Sequence, residues 1–206
     1  MAKIKHTKTE LKAQSDALKR FQRFLPMLQL KKQQLQAEIA AITARIDEVS
    51  ARETAARRAL DAWVALFAEP GQAIDALVHV ERVNTGASNI AGVTIPVYKG
   101  LEVTRAPLDL FDSPAWHYNA AETLTSILSL KAERLVLERQ RELVIRELNT
   151  TSQRVNLFEK VKIPECKENI RIIRIAIGDE QTASVTRGKI AKGRSNKKTE
   201  DEDEAA

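Results

Sequence analysis

The chain has 206 residues, 43% of them hydrophobic, with 30% charged, only 4% aromatic and a single cysteine. This is the composition of long helices and not of an aromatic-rich globular core. One cysteine excludes an intramolecular disulfide or a thiolate metal cluster. The net charge of +5 is patterned: nine Lys/Arg stand against Glu10 and Asp16 between Lys3 and Lys32, six stand against no acid between Arg187 and Lys198, and an acidic block follows from Glu200 to Glu204. No run of about 18 apolar residues is present, and Met1-Ala-Lys-Ile-Lys-His lacks an apolar signal core, which predicts a cytosolic chain.

From Leu11 to Phe67 a ladder climbs in alternating 3,4 steps: Leu11, Gln14, Leu18, Phe21, Leu25, Leu28, Lys32, Leu35, Ile39, Ile42, Ile46, Val49, Glu53, Ala56, Leu60, Trp63, Phe67. Steps averaging 3.5 residues keep one stripe facing a partner helix when the two supercoil left-handedly. The segment predicts a helix over residues 7–69, capped by Thr7 or Thr9, stopped by Glu69-Pro70-Gly71 and spanning roughly 85 Å at about 1.5 Å per residue. Pro26 removes one backbone hydrogen bond and predicts a kink near Gln22 to Pro26.

Residues 70–114 gain Gly, Pro, Asn, Val and Thr and lose the heptads. Two β-like stretches, Leu77 to Val83 and Gly92 to Tyr98, flank Asn84-Thr85-Gly86-Ala87-Ser88-Asn89, which reads as a turn and predicts a small hairpin-bearing cap at one end of a rod. Pro96 points to an edge or irregular strand. Asp112-Ser113-Pro114 is a capped start for a second helix over residues 115–177, with a looser seam of Ile127, Leu130, Arg134, Leu137, Arg141, Val144, Leu148, Thr151, Val155 and Phe158, then Ile170, Ile173 and Ile177 after Pro164. Residues 178–206 read as a basic, then acidic tail that is partly disordered.

The predicted fold is therefore all-α: a long antiparallel two-helix left-handed coiled coil with a hairpin-containing cap and both chain ends at the opposite tip. Paired positions sum to roughly 185. Glu53, charged and on the seam, then falls near Lys131 and Arg134, a pairing that would fix register. Pro26 and Pro164 fall at nearly the same height, which suggests a curved rod.

Chemistry is scarce. There is no phosphate-cradling G-x-x-x-x-G-K-[ST] run, and His6, His79 and His117 lie in three different regions without a second ligand at metal spacing. No catalytic, cofactor-binding or metal residue is predicted. Cys166 reads as a packing residue. On the residues alone three classes stay open: a shaft inserted in a protein socket, a self-associating scaffold, and a basic rod on nucleic acid or a membrane surface.

The run Leu18-Lys-Arg-Phe-Gln-Arg-Phe-Leu-Pro26-Met-Leu-Gln-Leu-Lys-Lys-Gln-Gln-Leu-Gln36 resembles the D subunit of the V-type and A-type ATPases and ATP synthases. The resemblance continues through Asn89-Ile-Ala-Gly-Val-Thr-Ile-Pro-Val-Tyr98 and Val161-Lys-Ile-Pro-Glu-Cys-Lys-Glu-Asn-Ile-Arg-Ile-Ile-Arg174, and Gly178 to Lys192 looks like the bacterial V-type branch. It implies one copy of a non-catalytic central rotor shaft, peripheral on the cytoplasmic side of the plasma membrane. The shaft inserts into the hexamer of catalytic A and B subunits, carries the small F subunit, and docks on a funnel-like subunit above the membrane ion ring. Under that resemblance Lys3, Lys5, Lys8, Lys12, Arg174, Arg187 and Lys189 would face the A/B socket as a mobile electrostatic bearing. Asn89, Ile90, Val93, Ile95 and Tyr98 would make the contacts of the cap. Nucleic-acid binding and membrane insertion are not expected.

Overall fold

The structure is a computed structural model that describes residues 4–61, 65, 78–105, 114 and 116–203, with side chains as far as residue 194. Its elements are α1 (Lys8–Asp61), β1 (Val78–Ile90), β2 (Val93–Arg105), α2 (Trp116–Leu157), a π turn (Phe158–Lys162) and α3 (Ile163–Asp203). Two compact units are formed, a hairpin unit of residues 30–152 and a terminal unit of residues 1–29 and 153–206. The stop signal Glu69-Pro70-Gly71, the seam residues Trp63 and Phe67, and the cap Asp112-Ser113 lie outside the described residues.

Thr7 is the cap that starts α1. Its carbonyl accepts the first intrahelical bond, from the Leu11 amide at 3.0 Å, and its Oγ1 accepts a hydrogen bond from the Glu10 amide at 3.2 Å, so one otherwise free helix-start amide is satisfied. The helix then runs 54 residues, through Pro26, without a break. Every ladder residue from Leu11 to Leu60 is buried or half-buried. So is every residue of the second seam from Ile127 to Ile177.

In the hairpin unit the core gathers Leu35, Ile42, Ile46 and Val49 of α1, Leu137 and Val144 of α2, and Ile95 of β2. Glu53 reaches Arg134 at 2.9 Å and Lys31 reaches Glu147 at 2.6 Å, so α1 and α2 run antiparallel here.

The hairpin differs from the sequence expectation in two respects. Its turn is Ala91-Gly92, with φ of 50° and 85°, and residues 84–89 belong to β1. Two successive positive-φ residues match the right-handed twist of paired strands, and the Asn89 Oδ1 accepts the Gly92 amide at 2.9 Å to close the turn. Asn84-Thr85-Gly86 sits at a register irregularity where Gly100 opposes Asn84 and Tyr98 opposes Thr85, which accounts for its turn-like composition. Second, the hairpin lies along the helices instead of capping an end: the Gln140 Nε2 donates to the Pro96 carbonyl at 2.5 Å, and the Tyr98 hydroxyl meets the Ser129 Oγ at 2.9 Å. In this two-stranded ribbon the Pro96 carbonyl is taken by Gln140 and not by β1, so its nitrogen, on the same side of the strand, also faces the free edge and breaks no ladder bond.

In the terminal unit Phe21 and Phe158 pack with ring centroids 5.0 Å apart, Asn169 bonds Gln14 at 3.5 Å, and Val155, Cys166, Ile170 and Ile173 are buried. The π turn has a sequence cause. Thr151, Val155 and Phe158 step by 4 and 3; Cys166, Ile170, Ile173 and Ile177 step by 4, 3 and 4; between Phe158 and Cys166 there is one residue more than a heptad. Pro164 has no amide to donate, and the Ile163 amide bonds the Phe158 carbonyl five residues back, so the wide turn takes up the extra residue and the seam resumes in phase. α3 continues helical to Asp203, where the sequence suggests a tail after Ile177, and is exposed from Gly178 through Arg194.

Candidate partner-binding surfaces

Glu53 shows how the hairpin unit holds a charge on its seam. The carboxylate is 8% exposed and is gripped by the Arg134 Nε at 2.9 Å and the Arg57 guanidinium at 2.7 Å, while Arg134 also bonds Glu138 at 2.7 Å. Burial pushes the Glu53 carboxyl up, but the hydrogen bonds and charges of Arg134 and Arg57 outweigh it and hold it below the usual carboxylate value. The arrangement is a register lock, because a slip of either helix by one turn leaves a shielded carboxylate without its guanidinium.

The expected basic end falls in the terminal unit. His6, Thr7 and Lys8 line a shallow cleft of about 400 Å³ with Ile177, Glu180, Gln181 and Ser184, so the start of α1 lies beside this stretch of α3. Lys5, Lys8, Lys12, Arg174, Arg187 and Lys189 are all exposed, and none forms an ion pair among the described residues. Of these, Lys8 is brought beside α3, whereas Arg187 and Lys189 stand roughly one to two helical turns beyond Ser184 at about 1.5 Å per residue. Lys3 lies outside the described residues.

The expected hairpin contacts are mostly turned inward. Ile95 is buried in the core, Ile90 and Val93 pack against it, Tyr98 is held by Ser129, and Asn89 closes the turn. Open apolar surface lies elsewhere on the hairpin. Val80, Val83 and Leu101 face Leu128 and Leu135 of α2 across a groove of about 470 Å³ rimmed by Lys131 and Arg139. These residues lie off the seam, and side chains flanking a strand pair carry no comparable period in the sequence.

Little else suggests chemistry. Among the described residues no group of three His, Cys, Asp or Glu side chains is placed to hold a metal, and no helix is long and apolar enough to cross a membrane. His6 and His79 are exposed; His117 is buried edge-on against Trp116, with ring centroids 4.4 Å apart. The Cys166 thiol is buried, and burial together with the Glu165 charge pushes its pKa up, against the smaller pull of Lys162. Such a thiol is a poor nucleophile.

The hairpin unit thus pairs two antiparallel helices through a charged lock and carries a lateral hairpin, and the terminal unit carries the basic residues. The sequence profile of the family of ATP synthase D subunits matches residues 10–193. The V-type ATP synthase D subunit of Borreliella burgdorferi is 43% identical over 192 residues, covering 93% of this chain and 95% of the relative. The V-type ATP synthase D subunits of Chlamydia felis and Chlamydia trachomatis serovar L2 are 31% and 32% identical, over 97% and 93% of this chain and 97% and 95% of their own lengths. With the whole hairpin and nearly all of the helices inside the matched span, the chain belongs to the family of ATP synthase D subunits.

Proposed function

We propose that this chain is the central rotor shaft of a V/A-type rotary ATPase, transmitting torque between a catalytic A/B hexamer and a membrane ion-translocating ring. Membership of the family makes it a subunit of a V-type ATP synthase, a membrane-associated complex. The observation that carries the finer reading is the pairing of near-full-length kinship with a 54-residue helix whose charged seam residue is locked to an antiparallel neighbour. A torque-bearing element resists slip between its helices, and an α1–α2 pair held by Glu53–Arg134 and Lys31–Glu147 has that property. A left-handed supercoil of the two segments follows from the 3.5-residue ladder.

On this reading the shaft is non-catalytic and present in one copy, with ATP turned over on the A and B subunits. The basic end, with Lys5, Lys8, Lys12, Arg174, Arg187 and Lys189, faces the socket as an electrostatic bearing of many weak, interchangeable contacts. The F subunit and the funnel-like subunit are its other partners, and the apolar groove beside the hairpin is a docking place for one of them. The complex places the chain peripherally on the cytoplasmic side of the plasma membrane. Purification of the tagged chain from gently solubilised membranes tests this. Recovery of one copy with A-, B- and F-like subunits and ATP hydrolysis supports the shaft, and recovery of self-oligomers or nucleic acid alone overturns it.

A further inference from the structure

Beyond the seam, the basic end and the hairpin groove, the terminal unit carries an apolar patch that packing leaves uncovered. Phe24 and Met27 of α1 are 47% and 61% exposed, and Leu157 and Val161, at the end of α2 and in the π turn, are 44% and 49% exposed. Counted in heptads with Leu18 at a and Phe21 at d, Phe24 is a g residue and Met27 a c residue. On the other segment, with Val155 at a and Phe158 at d, Leu157 is c and Val161 is g. In an antiparallel pair the g flanks of both helices open to the same side, as the Lys31–Glu147 pair, g to g in the hairpin unit, illustrates. The Phe21–Phe158 contact sets the two segments side by side at this height. The four side chains thus share one face and expose on the order of a few hundred Å² of apolar surface, the size of the largest patch on a typical soluble protein, which is often functional.

Charge says what fits there. Arg20 and Arg23 flank the patch on α1, and Arg154 and Lys160 flank it on the other segment; all four are exposed and none is in an ion pair among the described residues. From Ala17 to Ala37 α1 contains no carboxylate at all. A second copy of the same face would bring cation against cation. We infer that the face carrying Phe24, Met27, Leu157 and Val161 is a docking surface for an amphipathic helix of another subunit, one whose apolar stripe is bordered by carboxylates. The π turn contributes directly, since the bulge that keeps the seam in phase is what carries Val161.

The inference rests on the reading that the chain works inside a hetero-oligomer, and its test separates the two. The photoreactive residue p-benzoylphenylalanine is placed at Met27 or at Val161 of the full chain, with Gln22 and Glu159 on the opposite e flank as controls, and the complex is irradiated after gentle purification. Both patch positions are expected to cross-link to the same carboxylate-rich segment of a partner, and the control positions are not. The variant M27E/V161E should weaken that contact about tenfold. M27K/V161K, equally disruptive of packing but matched in charge, should lose far less, whereas a merely structural role would be harmed equally by both. Adducts to lipid or to a second copy, adducts no more frequent than at the controls, or equal loss in the two variants would overturn the inference while an intact ATPase complex leaves the shaft reading standing. If the chain is recovered without an ATPase the shaft reading fails, and the adducts in whatever assembly holds the chain still decide the docking surface.

Discussion

Replacing Arg134 with Met removes the guanidinium that grips Glu53 at 2.9 Å but keeps an unbranched apolar stem on the seam. Glu53, 8% exposed, is then left to Arg57, whose own side chain is 57% exposed. Removing one partner of a buried ion pair costs ~3–5 kcal/mol. The hairpin unit is only two helices and a hairpin deep, and Arg57 remains, so the desolvation is partial and about 2 kcal/mol is expected here. That corresponds to roughly a thirtyfold loss of protection in native-state hydrogen exchange at residues 42–56 and 130–141. The double variant E53L/R134M removes both charges and should recover most of the loss, because apolar replacement of a buried pair is neutral or stabilising. The pH dependence has a definite sign. The Glu53 carboxyl is held below its ordinary value of 4.5. Its contribution is therefore fully present above the unfolded pKa and is lost as pH falls through the lower folded pKa, and E53Q should flatten stability against pH in that acid window. Protection unchanged in R134M, or a double variant as unstable as the single one, would refute the lock.

Leu35 is fully buried and Met27 61% exposed, so Leu35→Ala should cost ~2–5 kcal/mol in chemical denaturation of the full chain while Met27→Ala stays within about 0.5 kcal/mol. Equal effects would contradict the packing described. Gly92 has a φ of 85°, and a Cβ added there would meet no atom nearer than 4.0 Å, so Gly92→Ala tests backbone strain alone and should destabilise the hairpin by ~1 kcal/mol, read as faster exchange of the Gly92-flanking amides. Cys166, buried and with its thiol pKa raised, should react with iodoacetamide many times more slowly in the native chain than in urea; equal rates would show that the thiol is open.

Legibility in the sequence followed the range of the interaction. The ladder of α1 is legible because every step repeats one physical demand, a seam residue each 3.5 positions, and Glu53 finds Arg134 once the two seams are set antiparallel with sums near 185. Thr7 is legible because capping needs only three residues of context. The hairpin exists where strand and turn composition place it, yet its turn is misread: Asn84 to Asn89 has turn residues for a register irregularity, while the true turn puts an alanine at positive φ, which composition does not announce. That the hairpin lies along the helices depends on Ile95, Gln140 and Tyr98 meeting distant residues, a long-range fact without local signal. The π turn was written in the one-residue excess between Phe158 and Cys166, visible only when the second seam is counted on both sides of Pro164. The continuation of α3 is hidden because Gly178, Gly188 and Gly193 lower helix propensity and no apolar stripe marks its face. The patch at Phe24, Met27, Leu157 and Val161 escapes a reading confined to a and d positions.

As a rotor shaft, this chain would turn relative to the catalytic head. Thr94 is exposed beside the hairpin turn, and native Cys166 is buried, so Thr94→Cys gives one labelling site for a bead or gold rod on the chain within the complete complex, immobilised through its head subunits. Unidirectional rotation of the probe driven by ATP is the predicted result. A probe that stays fixed while the complex hydrolyses ATP would contradict the account.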